Sequence, residues 1–195
     1  MKLDNKRTIL TGFAFLSICA FWQMYNSIVP LILTNTFHMN ETYSGAIMAA
    51  DNILALFLLP LFGSISDRTN TRIGKRMPFI LFGTGLAIIL MNILPIIDNS
   101  YAAAPSTFKT VSFVVVLGLL LVAMGTYRSP AVALMPDITP KPLRSKGNAI
   151  INLMGALGGV IYLGVAAVMY PNSKVAGLAH VNYQPLFIVV ASIMF

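Results

Sequence analysis

Gly63-Ser-Ile-Ser-Asp67-Arg68-Thr-Asn-Thr-Arg72-Ile-Gly74-Lys75-Arg76-Met-Pro78-Phe79 separates two long apolar runs. The stretch holds one acid, four bases, two glycines and a proline. Basic connections between apolar helices lie on the cytoplasmic face of a membrane. This stretch therefore predicts two membrane spans, the loop that joins them, and the side on which the loop lies.

The whole chain agrees with that reading. Of its 195 residues, 57% are apolar and only 10% are charged, whereas a soluble domain carries about 25% charged residues. So few charges cannot cover a water-facing surface, and an all-α integral membrane protein is expected. The net charge of +7 does not imply a nucleic-acid partner. The bases sit in three short clusters beside apolar runs, which is the pattern of orientation signals and anionic-lipid contacts. The single cysteine, Cys19, lies inside the first apolar run. It excludes a disulfide framework and reads as a small apolar residue.

A spanning helix needs roughly 20 mostly apolar residues. Runs of that kind cover about residues 9–33, 43–66, 78–97, 111–135 and 143–170, and a partial sixth covers 185–195. The first run is too long for a signal peptide, carries Trp22, Gln23, Tyr25 and Asn26, and has no Ala-x-Ala cleavage site. The sixth reaches about 16 Å, half of a core about 30 Å thick, so the chain reads as a fragment or a truncated product. Ten of the twelve bases in the N-terminal tail and the connections, Arg144 and Lys146 at the start of the fifth run included, fall on one side of this alternation. An N-terminus in the cytoplasm of a cell or inner membrane is expected. Short connections make neighbouring helices antiparallel, in a single domain over 1–195. The second and fourth runs each end in an acid and a basic loop (Asp67 and Asp137), which suggests two three-helix repeats.

Two charges interrupt the apolar runs. Arg128 lies about 13 Å from Asp137 along a helix, near mid-membrane, and Asp51 lies about 24 Å from Asp67, nearer the outside. Ionisable groups at such depth face a partner or a water-filled cavity and mark substrate paths and proton relays. Gln23 and Asn26 share one helical face at the height of Asp51, and Tyr127 adds a hydroxyl next to Arg128. The expected arrangement is a polar cavity lined by spans one, two and four. Arg128, Gln23, Asn26 and Tyr127 face a substrate, and Asp51 exchanges a proton. A guanidinium forks a carboxylate or a pair of sugar hydroxyls. The alternative is a polar cluster that only holds helices together. Gly155 and Gly159 stand at GxxxG spacing, which favours close helix packing. Pro130 and Pro136 are candidates to bend span four. His38 and His180 have no ligand spacing, and no phosphate loop or catalytic carboxylate pair occurs. No metal, cofactor or enzymatic activity is expected.

The quoted stretch, read as Gly63-x-x-x-Asp67-Arg68 with Gly74-Lys75-Arg76 before the next span, resembles the loop 2–3 signature of the major facilitator superfamily. Its long form, with Arg72 and Pro78-Phe79, is similar to sucrose-type proton symporters and their glycoside–pentoside–hexuronide relatives. Pro130-Ala-Val-Ala-Leu-Met-Pro-Asp137 with Arg144 and Asn148 resembles the span-four stretch of the same group. The resemblance implies the N-terminal six-helix half of a twelve-helix carrier, with a C-terminal half as partner. It implies a cytoplasmic gate built from Gly63, Asp67, Arg68, Arg72, Gly74, Lys75, Arg76, Asp137 and Arg144. In that gate Asp67 pairs with Arg68, Lys75 or Arg76, and Asp137 pairs with Arg144. Proton-coupled symport of an α-glucoside-type sugar by alternating access is the implied function. Val132 stands where the sucrose carriers have an arginine, span one has no histidine, and Ala55 and Leu59 replace the acidic pair of sodium-coupled relatives. The last departure favours protons. A drug or metabolite antiporter is a second reading, against which span five lacks a glycine–proline motif. A non-transporting half-length interaction protein is a third.

Overall fold

The computed structural model describes residues 5–175, 177–178 and 180–195. Among them there is no strand. Helix α1 covers Asn5–Leu31 and widens into a π turn over Ile32–Thr36. It is followed by α2 (Glu41–Arg68), α3 (Met77–Ala103), α4 (Thr107–Ile138) and α5 (Arg144–Met169). A single turn, α6 (Asn172–Val175), leads to α7 (Gln184–Met194). Five of these helices are long and apolar enough to cross a membrane. Asn40 starts α2 by accepting a hydrogen bond from the Thr42 N–H at 3.1 Å, and α3 begins with Pro78 in its first turn. Helices α3 and α4 run past the apolar stretches, because in lipid a backbone meets its hydrogen bonds most readily by staying helical.

The packing repeats itself. Helix α1 packs on α5 as α4 packs on α2, and α3 on α4 as α7 on α1; α1 meets α4 and α3 meets α7. Exchanging α1 with α4, α2 with α5 and α3 with α7 leaves this pattern unchanged. The helices related in this way run in opposite directions, which is the relation of two inverted three-helix repeats. The core lies where α1, α3, α4 and α7 meet, around Phe21, Met91, Leu94, Phe113, Met124 and Phe187. The apolar side chains Ile53, Leu56, Phe57 and Leu61 of α2 remain exposed, as expected for a helix bordered by lipid or another helical bundle.

Small residues set the helix spacing. A Cβ on Gly158 would lie 2.1 Å from the Leu16 carbonyl oxygen, and one on Gly155 would lie 2.9 Å from Cys19 Sγ. Gly159 has open space instead. The pair that brings α5 onto α1 is thus Gly155 with Gly158, not Gly155 with Gly159. Between α3 and α4, a Cβ on Gly83 would meet the Tyr127 backbone nitrogen at 2.7 Å. The end carrying the α2–α3 and α4–α5 connections is called here the basic end.

A Gly158→Ala substitution must push α1 and α5 apart, and overpacking of this kind costs about 1–3 kcal/mol. The thermal midpoint of the purified chain in detergent is expected to fall with Gly158→Ala and to hold or rise with Gly159→Ala. Equal shifts for the two variants would contradict the assignment.

Candidate functional site

Arg128 and Asp51 face one small cavity together with Trp22, Leu54, Leu58, Leu121 and Gly125. Its volume is about 20 Å³, enough for a single water. The Arg128 guanidinium carbon lies 5.4 Å from the centre of the Trp22 ring, within the range of cation–π attraction. Trp22 in turn packs edge-on against Tyr25, with ring centroids 5.3 Å apart. Three buried polar atoms in this cluster have no hydrogen-bond partner among the described residues: Trp22 Nε1, Tyr25 Oη and Asp51 Oδ1. An unmet donor or acceptor costs about 1–3 kcal/mol. The three lie beside the Arg128 fork.

Trp22 also borders a second cavity of about 410 Å³ between α1 and α5, where Gln23, Asn26, Cys19 and Gly159 line the wall. The cation and the amides therefore lie in adjoining cavities with the indole ring between them. The open flank of Gly159, which the GxxxG reading assigned to packing, is part of this wall.

Tyr127 does not join Arg128. Its side chain is buried toward α1, where its hydroxyl donates to the Ala14 carbonyl at 3.0 Å and shares a 2.7 Å hydrogen bond with Ser17. It fastens α4 to α1 and is absent from both cavities beside Trp22. Adjacent residues on a helix point about 100° apart, so sequence proximity to Arg128 was a poor guide. Trp22 and Tyr25 were the residues missed. Their spacing on one face with Cys19 and Asn26, at three and four residues, was the available signal.

At the basic end one side chain, Arg76, gathers the charges. Its Nη2 lies 2.9 Å from Asp67 Oδ1, and its Nε donates to Asp137 Oδ2 at 2.6 Å. Its Nη1 donates to Ser66 Oγ at 3.4 Å. Arg68, Arg72 and Lys75 are exposed. Of the three bases proposed for Asp67, Arg76 is the partner. The expected Asp137–Arg144 pair is not the one formed. Arg144 donates to the Pro136 carbonyl at 3.1 Å, where a cation suits the last turn of α4. Gly74 permits the loop, with φ of +106°. Gly63 lets α2 pass α4 where Ser129 Oγ donates to the Leu59 carbonyl at 2.7 Å. No metal-ligating cluster occurs among the described residues.

Against known proteins, the family model of the Major Facilitator Superfamily matches residues 11–195. A sucrose transport protein of Arabidopsis thaliana is 29% identical over 140 residues, covering 65% of this chain and 23% of its own length. One from Oryza sativa subsp. indica is 31% identical over 123 residues, 56% of this chain and 24% of its length. The alpha-ketoglutarate permease of Escherichia coli (strain K12) is 27% identical over 195 residues, 96% of this chain and 41% of its length. The chain thus spans a quarter to two fifths of these relatives.

Arg76 is nearly buried whereas both carboxylates are half exposed, so each pair is worth about 1 kcal/mol or less. A double-mutant cycle on Arg76→Gln and Asp137→Asn, read by thermal unfolding in detergent, should show a positive coupling of that size. A cycle on Arg144→Gln and Asp137→Asn should show almost none. The reverse order would restore the Asp137–Arg144 pairing.

Proposed function

This chain belongs to the Major Facilitator Superfamily, and on that footing we propose that it is the N-terminal half of a proton-coupled sugar symporter that works by alternating access. The observation that carries the reading is the cluster of Trp22, Tyr25, Asp51 and Arg128, a cation and an acid held at membrane depth with three unmet polar atoms. The likeness to sucrose transport proteins supports a sugar as cargo.

In this account Arg128 forks adjacent hydroxyls of the sugar. Trp22 presents an apolar ring with one polar edge, and Gln23 and Asn26 meet hydroxyls from the cavity between α1 and α5. Asp51 binds and releases the coupled proton. The two six-helix halves rock about this site, and the sugar drives the switch only because it binds the two states unequally. Arg76, holding Asp67 and Asp137, latches the basic end while the site is open on the other side. That end, with the N-terminus, faces the cytoplasm of a cell or inner membrane.

A second reading rests on the same guanidinium. Arg128 also suits a carboxylate, and the similarity to a dicarboxylate permease runs along nearly the whole chain. Uptake by the carrier of labelled sucrose and of a labelled dicarboxylate separates the two. Sucrose uptake that falls about tenfold or more with Arg128→Lys, and loses its dependence on a proton gradient with Asp51→Asn, is the expected result. Normal uptake of every sugar by Arg128→Lys would remove Arg128 from the site. Uptake of the dicarboxylate alone would replace the sugar reading.

A further inference from the structure

The most anomalous group in the molecule lies outside this site. Asp98, in the last two turns of α3, is 0% exposed. Neither of its carboxylate oxygens has a hydrogen-bond partner among the described residues. An ionised carboxylate sealed from water without a donor is among the costliest arrangements a protein can hold. The group nearest to relieving it is His180, from the segment between α6 and α7, whose Nε2 lies 3.9 Å from Asp98 Oδ2.

The hydrogen bonds around His180 allow its ring to change protonation without moving. Nε2 donates to Asn99 Oδ1 at 2.9 Å, and Nδ1 lies 3.3 Å from the Thr36 hydroxyl. With the ring neutral, the hydroxyl donates its proton to Nδ1. With the ring protonated, Nδ1 donates and the hydroxyl oxygen accepts. The Thr36 O–H is then free to turn to the Asp98 carboxylate beside it. Both states keep the ring bonded, but only the protonated one gives Asp98 a counter-charge and a donor.

We propose that Asp98 and His180 form a proton-binding site at the end of the bundle opposite the basic end, and that the bound proton latches residues 180–183 onto α1 and α3. The ligand is a single proton. The elements it joins are the π turn after α1 through Thr36, α3 through Asp98 and Asn99, and the segment before α7 through His180. Asn99 Nδ2 donates to Asn182 Oδ1 at 2.9 Å, and Tyr170 donates to the Asn182 carbonyl at 2.7 Å, extending the latch to α5. His38 and Tyr101 share a pocket of about 300 Å³ with His180, and Tyr183 is near enough to feel the Asp98 charge. Lys109 does not compete for Asp98, since its ammonium donates to the carbonyls of Ser100 and Ala104.

The latched state holds one more proton than the open one, so lowering the pH favours it. Hydrogen–deuterium exchange of the amides from 180 to 183, corrected for intrinsic exchange, reads the opening in the purified chain without any cargo. Protection in the wild type should be about tenfold greater at pH 5.5 than at pH 8. Asp98→Asn and His180→Gln should each abolish that pH dependence. A direct reading is the ring NMR signal of His180 in a His38→Gln background, in which it is the one histidine. Its titration midpoint should move when Asp98 becomes Asn. Protection independent of pH in the wild type, or a His180 midpoint indifferent to Asp98, would overturn the proposal.

Discussion

A hydrocarbon interior offers no water to a charge, and the polar architecture of this chain follows from that cost. Three ionisable groups within the long helices each lie beside a specific neighbour. Arg128 lies over the Trp22 ring, Asp51 shares a water-sized cavity with it, and Asp98 faces His180. At Asp51 Oδ1 and both Asp98 oxygens the cost is not met by a hydrogen bond among the described residues. Tyr127 has two partners for its hydroxyl and holds two helices together, whereas Tyr25 has none for its own among the described residues.

The inverted repeat places these groups. Helices α1 and α4 exchange roles under the internal symmetry, and Trp22 and Arg128 come from that pair. Glycines bring the neighbouring helices close enough for the side chains to meet. Gly158 draws α5 onto α1, and Gly125 leaves room beside Arg128 for the cavity. At the basic end a single guanidinium joins the loop between repeat helices α2 and α3 to the end of α4. The joint crosses from one repeat to the other. One nearly buried base between two half-exposed acids makes a weak joint.

Much of this was legible in one dimension. Apolar length and the distribution of bases reveal spans and connections, and a lone charge in an apolar run, such as Arg128 or Asp51, is conspicuous by its cost. Choices among near neighbours were not legible. Arg68, Lys75 and Arg76 all lie within nine residues of Asp67, and only the fold of the loop selects Arg76. Gly155, Gly158 and Gly159 satisfy two helical spacings, and the crossing of α1 decides which two carry it. Tyr127 and Arg128 are adjacent in sequence yet serve different faces. The Asp98–His180 pair was hidden most deeply. Its members are far apart in the chain, and only the placement of residues 180–183 beside α3 brings them together.

The central claim is that the Trp22–Asp51–Arg128 cluster receives the cargo. Trp22 is the single tryptophan of the chain, so its fluorescence reports on that cluster alone. Titrating sucrose into the purified protein, with any tryptophan outside residues 1–195 replaced, tests the claim directly. The account predicts a saturable change in Trp22 emission that is lost with Arg128→Gln. Saturable binding of labelled sucrose with no change in Trp22 emission would place the cargo elsewhere.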